Sequence, residues 1–541
     1  MNMKKENILI WGLIVMFAVL MSVPYIIPHT GLLALFGLVP LLCMERIVTL
    51  TEKRRVWPYH YSAFILWNTI TTFWVCNATI GGGIFAILAN SLQMSLIFGL
   101  FRLSKKKFKG SLPYIFLAVT WIAWERFYFD AEISWPWLVL GNAFARSTWA
   151  IQWYEFTGSL GGSLWIWACN LGIFGFLTSL SDGSIFRWNM KAKIFAVCSY
   201  AALLVVPLCI SPIIGREYSD ALSEGEKMPV LIIQPNIDPY NKFQAMTQEQ
   251  QNAILENQIK ETLKDRDSLS GPLLIVAPET FTSDIIIGQY ERSRTWRRFT
   301  SLLKDYPNVN MLFGASSYDY ITSGKAPSHT ARHIKDDLWV ESHNSALMID
   351  GSTRTDIFHK SRLVVAVEKT PYPAIVCRID DLLGGVMGRC VGQDEVSLLN
   401  VKSTDGKTTP IGCAVCYESV YGEYYTDYIR KGARAMTIIT NDAWWGNTPG
   451  YRQHLSYASL RAIETRRAIA RCANTGISAI ISPSGEITQP TPWWEPAVIN
   501  GELPLRDDIT FFVAHGDITG RVCTFVFLLL LLSLLVRIRI R

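Results

Sequence analysis

The stretch IGCAVCYESVYG, residues 411–422, holds two cysteines in a C-x-x-C pair and follows the second with a tyrosine and a glutamate. Such a stretch can be a redox pair, half of a metal site, or the setting of one nucleophilic thiol. A redox pair normally opens a helix, where the helix dipole lowers the pKa of the first thiol. Here Ala414 and Val415 continue an apolar strand, in which alternation places Cys413 and Cys416 on opposite faces. The pattern therefore disfavours a redox pair.

Metal and cofactor sites find little support elsewhere in the sequence. No second C-x-x-C pair and no nearby pair of histidines completes a zinc site around Cys413 and Cys416. No glycine-rich loop of the kind that cradles a phosphate is evident either. We therefore predict neither a metal nor another cofactor.

Two further residues suit catalysis by a cysteine nucleophile, because each follows a predicted strand. Glu279 lies in VAPET (276–280), and Lys360 ends the hairpin region that begins at Asp350. A free thiol has a pKa of about 8.5, so a base or a nearby positive charge must supply the thiolate near neutral pH. Glu279 can accept the proton of Cys416, and Lys360 can stabilise both the thiolate and the oxyanion of an attacked carbonyl. The backbone N–H of Tyr417 is a natural second oxyanion donor.

Each of these residues also has a simpler interpretation. Glu279 could be a solvated charge or a cap, Lys360 part of a basic hairpin, and Cys416 a structural thiol. Only their coincidence in one pocket predicts acyl transfer through a thioester.

The elements that must position these residues begin at about residue 228, where short β-branched runs alternate with helical stretches. The predicted strands are 230–237, 272–280, 310–318, 343–350, 410–418, 435–445 and 477–487, and the predicted helices are 246–268 and 453–472. Such a mixture predicts an α/β sandwich. Functional groups of these domains tend to lie where strands end, on the loops that follow.

The rest of the chain has the composition of a membrane protein. Of 541 residues, 50% are hydrophobic and 19 are tryptophan, which is too apolar and aromatic for an ordinary soluble enzyme. Eight apolar segments have about the length that a helix needs to cross ~30 Å of hydrocarbon. They cover 8–26, 31–44, 61–78, 84–103, 112–129, 163–180, 193–214 and 518–536. The net charge of +6 is too small to indicate a nucleic-acid partner.

Lysine and arginine are concentrated in every second loop, a pattern that marks the cytoplasmic side of a membrane. The basic groups lie at 4–5, 53–55, 105–109, 187–193 and 537–541. This alternation predicts that both termini are cytoplasmic and that residues 215–517 lie outside. The first apolar run lacks a small-residue cleavage site, so we predict an anchor rather than a signal peptide.

Three domains follow from this topology: a helical membrane domain of seven spans over 1–215, an extracytoplasmic catalytic domain over 216–515, and a last span over 516–541. An extracytoplasmic domain meets an oxidising compartment, where disulfides persist. The sequence therefore allows a disulfide between Cys377 and Cys390, although spacing alone does not establish it.

Taken together, the motifs of this chain resemble those of the apolipoprotein N-acyltransferases, membrane-bound members of the nitrilase (carbon–nitrogen hydrolase) superfamily. The matching stretches are IIQPNI (232–237), PET (278–280), FHKSRLV (358–364), CYES (416–419), TNDAWWG (440–446), the run from QHL to GEI (453–487) and WPWLVLGN (135–142). The resemblance implies an α-helical transmembrane bundle of about eight spans with an extracytoplasmic, nitrilase-like α-β-β-α sandwich.

The resemblance also implies a function. An acyl chain would pass from a membrane phospholipid to Cys416, and then to the α-amino group of the diacylglyceryl-cysteine that begins an apolipoprotein. The partners would be these two substrates, and the chain would act as a monomer. The implied location is the bacterial inner membrane, with the catalytic domain on the periplasmic side.

The resemblance assigns roles to individual residues. It implies Glu279 as general base, Lys360 as support of the tetrahedral intermediate and Cys416 as acyl carrier. Other positions that match family residues near the pocket are Tyr417, Glu418, Glu368, Phe243, Asn441 and Trp444. Two departures affect them: the loop before Glu368 reads LVVAVE where the family usually has L-V-P-F-G-E, and Phe243 stands where the family often has tryptophan.

Two other functions fit parts of the same sequence. A membrane-tethered amidase or nitrilase would use the same three residues and pass its acyl-enzyme to water. A transporter or an inactive scaffold would need no nucleophile, but transporters usually carry buried charges in mid-span, and these spans show few beyond Glu125 and Arg126.

Overall fold

A computed structural model describes residues 3–51, 56–220, 225–240, 246–264, 271–382 and 387–539. This part of the chain divides into two compact units. One comprises Met1–Tyr218 with His515–Arg541, and the other comprises Ser219–Ala514.

The helices are α1 (Met3–Ile26), α2 (Ala34–Gly37), α3 (Val39–Leu50), α4 (Trp57–Thr72), α5 (Val75–Ala78), α6 (Ile80–Lys105), α7 (Leu112–Asp130), α8 (Tyr154–Ser181), α9 (Met190–Asp220), α10 (Gln248–Leu263), α11 (Arg294–Leu303), α12 (Pro373–Leu382), α13 (Gly422–Arg430), α14 (Pro449–Thr465), α15 (Phe511–His515) and α16 (Ile518–Arg539). The strands are β1 (Lys227–Gln234), β2 (Leu273–Val276), β3 (Thr282–Ile286), β4 (Val309–Thr322), β5 (Arg332–Lys335), β6 (Leu338–Ile349), β7 (Thr355–His359), β8 (Leu399–Lys402), β9 (Thr408–Val415), β10 (Ala435–Thr440), β11 (Ile469–Ala473), β12 (Ala479–Ile481), β13 (Ile487–Thr488) and β14 (Ala497–Pro504).

The first unit contains long apolar helices, as expected. Within the described residues, six segments are long and apolar enough to cross a membrane: Lys5–Ile26, Gly31–Leu50, Ile80–Lys105, Tyr154–Ser181, Met190–Arg216 and Ile518–Arg539. The two other predicted spans fall on α4, which has only 16 residues, and on α7, which carries Glu125, Arg126 and Asp130 near its end. The helical region is therefore confirmed, while the count of eight spans stays a prediction.

Helices of the first unit pack against neighbours that are both near and far in the sequence. α1 packs against α3 and α4, α4 against α6, and α7 against both α8 and α16. Large aromatic side chains fill the interior, among them Trp67, Trp121 and Trp167. At the break between α2 and α3, Asn170 Oδ1 accepts hydrogen bonds from the N–H groups of Leu38 (2.8 Å) and Val39 (3.1 Å), so the irregular backbone is satisfied inside the bundle.

The second unit consists of two facing sheets. The larger sheet has the order β14-β1-β2-β4-β6-β5, with β3 beside β4 and β7 beside β6, and the smaller has the order β13-β12-β11-β10-β9-β8. β1 contacts β11 and β6 contacts β9, so the sheets pack face to face. Helices α10 and α11 pack on the larger sheet, and α13 and α14 on the smaller. This α-β-β-α sandwich confirms the predicted fold class.

Several predicted boundaries were wrong, and tertiary pairing explains them. The helix predicted over 453–472 ends at Thr465, because Arg466 adopts a left-handed conformation with φ 51°. The following residues form β11, which pairs with β10 on one side and β12 on the other. The strand predicted over 410–418 ends at Val415, so Cys416 does not alternate with Cys413 on a strand.

Candidate active site

The ends of three strands bring together the residues predicted to be catalytic. Glu279 follows β2, Lys360 directly follows β7, and Cys416 directly follows β9. Lys360 Nζ donates a hydrogen bond to Glu279 Oε1 at 3.2 Å, and both side chains are buried. The charges of both residues act on the thiol of Cys416. The structure thus gathers in one place three residues that are far apart in the sequence.

Both oxygens of the Glu279 carboxylate accept hydrogen bonds. Oε1 accepts a hydrogen bond from Asn344 Nδ2 at 2.7 Å in addition to that from Lys360, and Oε2 accepts one from the backbone N–H of Asn441 at 3.1 Å. The chain around Glu279 also lies directly against Gly314 of β4, where an added Cβ would be 2.5 Å from Glu279 Cα. A glycine at that position lets the loop approach the strand.

Glu368 joins the same cluster despite its altered loop. Its Oε1 accepts hydrogen bonds from Lys360 Nζ at 2.9 Å and from Asn344 Nδ2 at 2.7 Å, while Oε2 accepts one from the N–H of Val364 at 2.8 Å. Burial opposes the charge of Lys360, but the carboxylates of Glu279 and Glu368 outweigh it and raise the pKa of Lys360 well above its ordinary value. Lys360 is therefore a fixed cation between two carboxylates.

Cys416 begins a short 3-10 turn, Cys416–Val420, and adopts φ 53°, a conformation that few residues other than glycine take. Glu418 holds this turn closed. Its Oε2 accepts the N–H of Val415 at 2.7 Å, and its Oε1 accepts the N–H of Ser361 and the hydroxyl of Tyr424, each at 2.7 Å. Glu418 thereby ties the end of β9 to the loop that follows Lys360, which favours a role in shaping the pocket.

The thiol of Cys416 requires a base. Loss of hydration raises its pKa well above the ordinary value, the negative charges of Glu279 and Asp442 raise it further, and the positive charge of Lys360 lowers it. The thiol is consequently protonated at rest near neutral pH. A carboxylate that can accept its proton at the moment of attack is therefore what the site needs.

The other predicted pocket residues differ in whether they contact the proposed catalytic residues. Asn441 contacts Glu279 through its backbone, and Tyr417 is buried with its ring 5.2 Å from that of Tyr421. Trp444 is 42% exposed and lies edge-on to Tyr240, with ring centroids 5.2 Å apart. Phe243 and the basic residues 53–55 lie outside the described residues.

An open cavity of about 530 Å³ adjoins the cluster. Its lining includes Asn344 and Glu368, which also contact the catalytic candidates, together with Ser342, Arg332 and Arg389. The cavity is lined in part by hydrogen-bonding groups and lies beside residues that bond to Glu279 and Lys360.

The sequence-based reasoning missed two sets of residues. Asn344 bridges Glu279 and Glu368, but in the sequence it is only one polar residue within a predicted strand. His454 and Asp442, in the matched stretches QHL and NDAWWG, form a buried hydrogen-bonded pair 2.9 Å apart. One ligand atom each from Cys416, Asp442 and His454 lies within 4.8 Å of the other two, which is the spacing of a metal site. Protein groups already satisfy both oxygens of Asp442.

All eleven cysteines are free thiols, including Cys377 and Cys390, for which the sequence left a bridge open.

Two family models match separate parts of the chain. The model of the apolipoprotein N-acyltransferase N-terminal domain matches residues 17–172, and the carbon–nitrogen hydrolase model matches residues 320–508. An apolipoprotein N-acyltransferase of Chlorobaculum tepidum is 28% identical over 516 residues, which cover 92% of this chain and 90% of the relative. The chain is similar to the apolipoprotein N-acyltransferases over most of its length.

Another member of the family, from Geobacter metallireducens, is 26% identical over 86% of this chain and 82% of its own length. Among solved structures, a branch 10 member of the nitrilase superfamily from Saccharomyces cerevisiae matches at 16% identity and a TM-score of 0.37, over 52% of this chain and 90% of that chain. The two family models and the two relatives confirm the resemblance predicted from the motifs, and with it the class of enzyme, an acyltransferase. The apolar helices and the family together make this a membrane protein.

Proposed function

We propose that the protein transfers an acyl chain from a membrane phospholipid, by way of a thioester on Cys416, to the α-amino group of the diacylglyceryl-cysteine that begins an apolipoprotein. The observation that carries this mechanism is the meeting of Glu279, Lys360 and Cys416 in a chain similar to this family. The products are a lipoprotein with three acyl chains and a lysophospholipid.

In the first half-reaction, the carboxylate of Glu279 removes the proton from Cys416 Sγ as the sulfur attacks the ester carbonyl of the donor. Lys360 Nζ stabilises the tetrahedral oxyanion, and the backbone N–H of Tyr417 is the proposed second donor. When the intermediate collapses, the carbon–oxygen bond breaks and Glu279 returns the proton to the departing alkoxide. The sulfur keeps the acyl group, and the lysophospholipid leaves.

In the second half-reaction, the neutral α-amino group of the acceptor attacks the thioester carbonyl. Glu279 accepts a proton from this nitrogen, the carbon–sulfur bond breaks, and the thiolate of Cys416 recovers the proton from Glu279. Asn344 and Glu368 hold Glu279 and Lys360 in fixed relative positions through both steps, because their hydrogen bonds connect these two side chains. The new bond is an amide, and the enzyme returns to its starting state.

A membrane enzyme suits these substrates for an energetic reason. Moving an acyl chain into water costs about 0.8 kcal/mol per CH₂, which exceeds about 10 kcal/mol for a long chain. The α/β unit lies in the sequence between α9 and α16, two apolar helices that are long enough to span a membrane. A catalytic unit held at both ends by such helices meets both lipid substrates without extracting them.

We further propose that the catalytic unit works on the periplasmic face of the bacterial inner membrane and that the enzyme acts as a monomer. The alternation of basic loops along the sequence supports this orientation. The three proposed catalytic residues all come from one compact unit of one chain, so a second copy is not needed to complete the set.

The intact mass of the full-length protein in detergent, measured after incubation with phospholipid, tests the covalent step. We expect the wild type to gain the mass of one acyl chain, Cys416→Ala to gain nothing, and Cys413→Ala to behave as the wild type. Cys413 is a matched control because it is the buried partner of the same C-x-x-C pair. An unmodified wild type would contradict the thioester.

Addition of a diacylated lipopeptide to the acylated protein tests the transfer. The peptide should gain one acyl chain while the protein loses its own. If the protein adduct disappears with no gain on the peptide, and small amides are hydrolysed instead, the protein is a membrane-tethered hydrolase and the proposed acceptor is wrong.

A further inference from the structure

A second buried network reaches the nucleophile from the side of its backbone. His454 Nε2 lies 3.1 Å from the carbonyl oxygen of Cys416 and 3.0 Å from Ser419 Oγ, and His454 Nδ1 lies 2.9 Å from Asp442 Oδ1. His454, Ser419 and Asp442 are each about 1% exposed, so water does not complete these contacts. The mechanism described above makes no use of this network.

Asp442 is an ionised acceptor. Its Oδ1 accepts a hydrogen bond from Thr440 Oγ1 at 2.7 Å, and its Oδ2 accepts one from the guanidinium of Arg471. Burial alone would raise the pKa of Asp442, but His454 and Arg471 hold it well below its usual value. A carboxylate in this state has no proton to give, so His454 Nδ1 must carry the proton between them. Arg471 also lies 3.3 Å from Nδ1, but the carboxylate is nearer and can only accept.

His454 Nε2 faces two oxygen atoms, Ser419 Oγ and the carbonyl oxygen of Cys416. The Ser419 hydroxyl donates its one proton to the carbonyl oxygen of Cys416 at 2.8 Å. The Ser419 oxygen then presents a lone pair to Nε2, and the Cys416 carbonyl can only accept. Nε2 must therefore be a donor as well. With both ring nitrogens protonated, the contacts with Asp442, Ser419 and the Cys416 carbonyl are all hydrogen bonds, whereas a ring protonated only on Nδ1 leaves Nε2 against the carbonyl without a proton.

We propose that His454 is a positioning residue of the acyl transfer, an imidazolium that fixes the strained turn of Cys416 and supplies a second positive charge beside its sulfur. One ring nitrogen of His454 lies within 4.8 Å of Cys416 Sγ. When Glu279 takes the proton of the thiol, the new negative charge on sulfur is stabilised by His454 as well as by Lys360. This inference rests on the proposed role of Cys416 as the nucleophile.

The groups around the imidazolium come from three elements, the turn Asp442–Trp445, β11 and the turn Cys416–Val420. Asp442 and Arg471 provide the charges, the turn of Cys416 provides a carbonyl group and the Ser419 hydroxyl, and the ring of Trp445 lies edge-on with its centroid 5.5 Å away. Asp442 is shared between two cations, His454 and Arg471. The network of Asp442, His454 and Arg471 therefore carries one net positive charge.

Alkylation of Cys416 by iodoacetamide tests the inference without any lipid substrate. The full-length protein in detergent is treated between pH 5 and pH 9, and modification of the peptide that contains Cys416 is followed by mass spectrometry. His454→Gln places an amide that can still donate to the Cys416 carbonyl but carries no charge. We expect the alkylation profile of this variant to shift upward by about one pH unit, with a rate about tenfold lower at pH 7, because only the thiolate reacts.

His333→Gln is the matched control, since His333 lies on the exposed strand β5, where it contacts the backbone oxygen of Asp336 and the ring of Trp339. Its profile should equal that of the wild type. If the alkylation rate of His454→Gln, corrected for the folded fraction, equals that of the wild type at every pH, the role of His454 is merely structural and the inference is wrong.

Nitrogen-15 NMR of the wild type labelled with ¹⁵N-histidine covers the case in which His454→Gln does not fold. We expect one histidine whose two ring nitrogens are both protonated at pH 8, where an ordinary imidazole is neutral; if no histidine is doubly protonated there, the inference is wrong. Because the alkylation assay needs no acyl donor, a shifted profile in a protein that transfers no acyl chain would refute the proposed function and leave the imidazolium in place.

Discussion

The amide nitrogen of Asn344 lies 2.7 Å from Oε1 of Glu279, which places a neutral donor on the carboxylate that we propose as the general base. The same nitrogen is 2.7 Å from Glu368, so one side chain holds two carboxylates around Lys360. These hydrogen bonds orient the carboxylate of Glu279 without adding a charge to the site. Asn344 comes from β6, on the opposite side of β4 from β2, the strand that Glu279 follows.

Replacement of Asn344 by alanine should slow the formation of the acyl-enzyme by about ten- to a hundredfold, because a buried hydrogen bond to a charged group is worth about 1.5–3 kcal/mol. Single-turnover acylation followed by intact mass measures this rate. Asn310→Ala is the control, since Asn310 is equally buried but bonds to Lys402 at 2.8 Å, outside the cluster. Equal loss of rate in both variants would contradict a specific role of Asn344.

The two-part fold was predictable from the sequence because it depends on features that extend over many residues. Apolar runs of about 20 residues predict spans whatever their neighbours are, and β-branched runs between helical stretches predict an α/β sandwich. Residues 466–472 were predicted as helix because their composition continues that of α14. They became β11 because β10 and β12 were available to pair on either side, which no local pattern reveals.

The candidate site was predictable only in part, for a similar reason. Glu279, Lys360 and Cys416 stand at strand ends, so their types and positions pointed to one pocket. Asn344 and His454 make their contacts with residues that are distant in the sequence. The residue types next to them in the chain do not predict those contacts. The conformation of Cys416 likewise depends on tertiary hydrogen bonds and not on the residue type.

Removal of the positive charge at Lys360 should destabilise the α/β unit. Lys360→Met leaves the buried carboxylates of Glu279 and Glu368 without their cation, and breaking a buried pair in this way costs about 3–5 kcal/mol. Thermal unfolding at pH 8 measures the loss. Lys431→Met removes a lysine whose pair with Glu395 is exposed, and it should cost no more than about 1 kcal/mol.

The pH dependence of this effect has a definite sign. The pKa of Lys360 is raised in the folded state, so its contribution to stability is complete below the ordinary lysine pKa of about 10.4 and is lost only as the pH rises through the raised value. The wild type should therefore show no loss from Lys360 between pH 6 and pH 9. The difference in unfolding free energy between the wild type and Lys360→Met should accordingly stay constant from pH 6 to pH 9; a difference that falls toward pH 9 would contradict a fixed charge on Lys360.

Glu418→Gln should distinguish a structural from a chemical role of that carboxylate. Its oxygens accept the N–H groups of Val415 and Ser361, so an amide NH₂ in place of either oxygen would oppose a donor. We expect a loss of about 1–3 kcal/mol in unfolding free energy, as for an unsatisfied buried donor, together with a slower acylation. The pH profile of the remaining acylation should keep its wild-type shape.

A changed profile for Glu418→Gln would instead indicate that Glu418 takes part in the proton transfer. Glu395→Gln is the control because that glutamate is exposed and bonds to Lys431 at the surface. It should match the wild type in stability and in rate.

Gly314→Ala should disturb the base through the backbone alone. The added Cβ would lie 2.5 Å from Glu279 Cα and 2.6 Å from the nitrogen of Thr280, and neither backbone atom can move aside as a flexible side chain could. Overpacking of this kind costs about 1–3 kcal/mol, and the displaced loop should lower the rate of acylation by more than tenfold. Gly271→Ala is the matched control, since nothing lies within 4 Å of its added Cβ. If both variants acylate at the wild-type rate, the position of Glu279 does not depend on the close approach at Gly314.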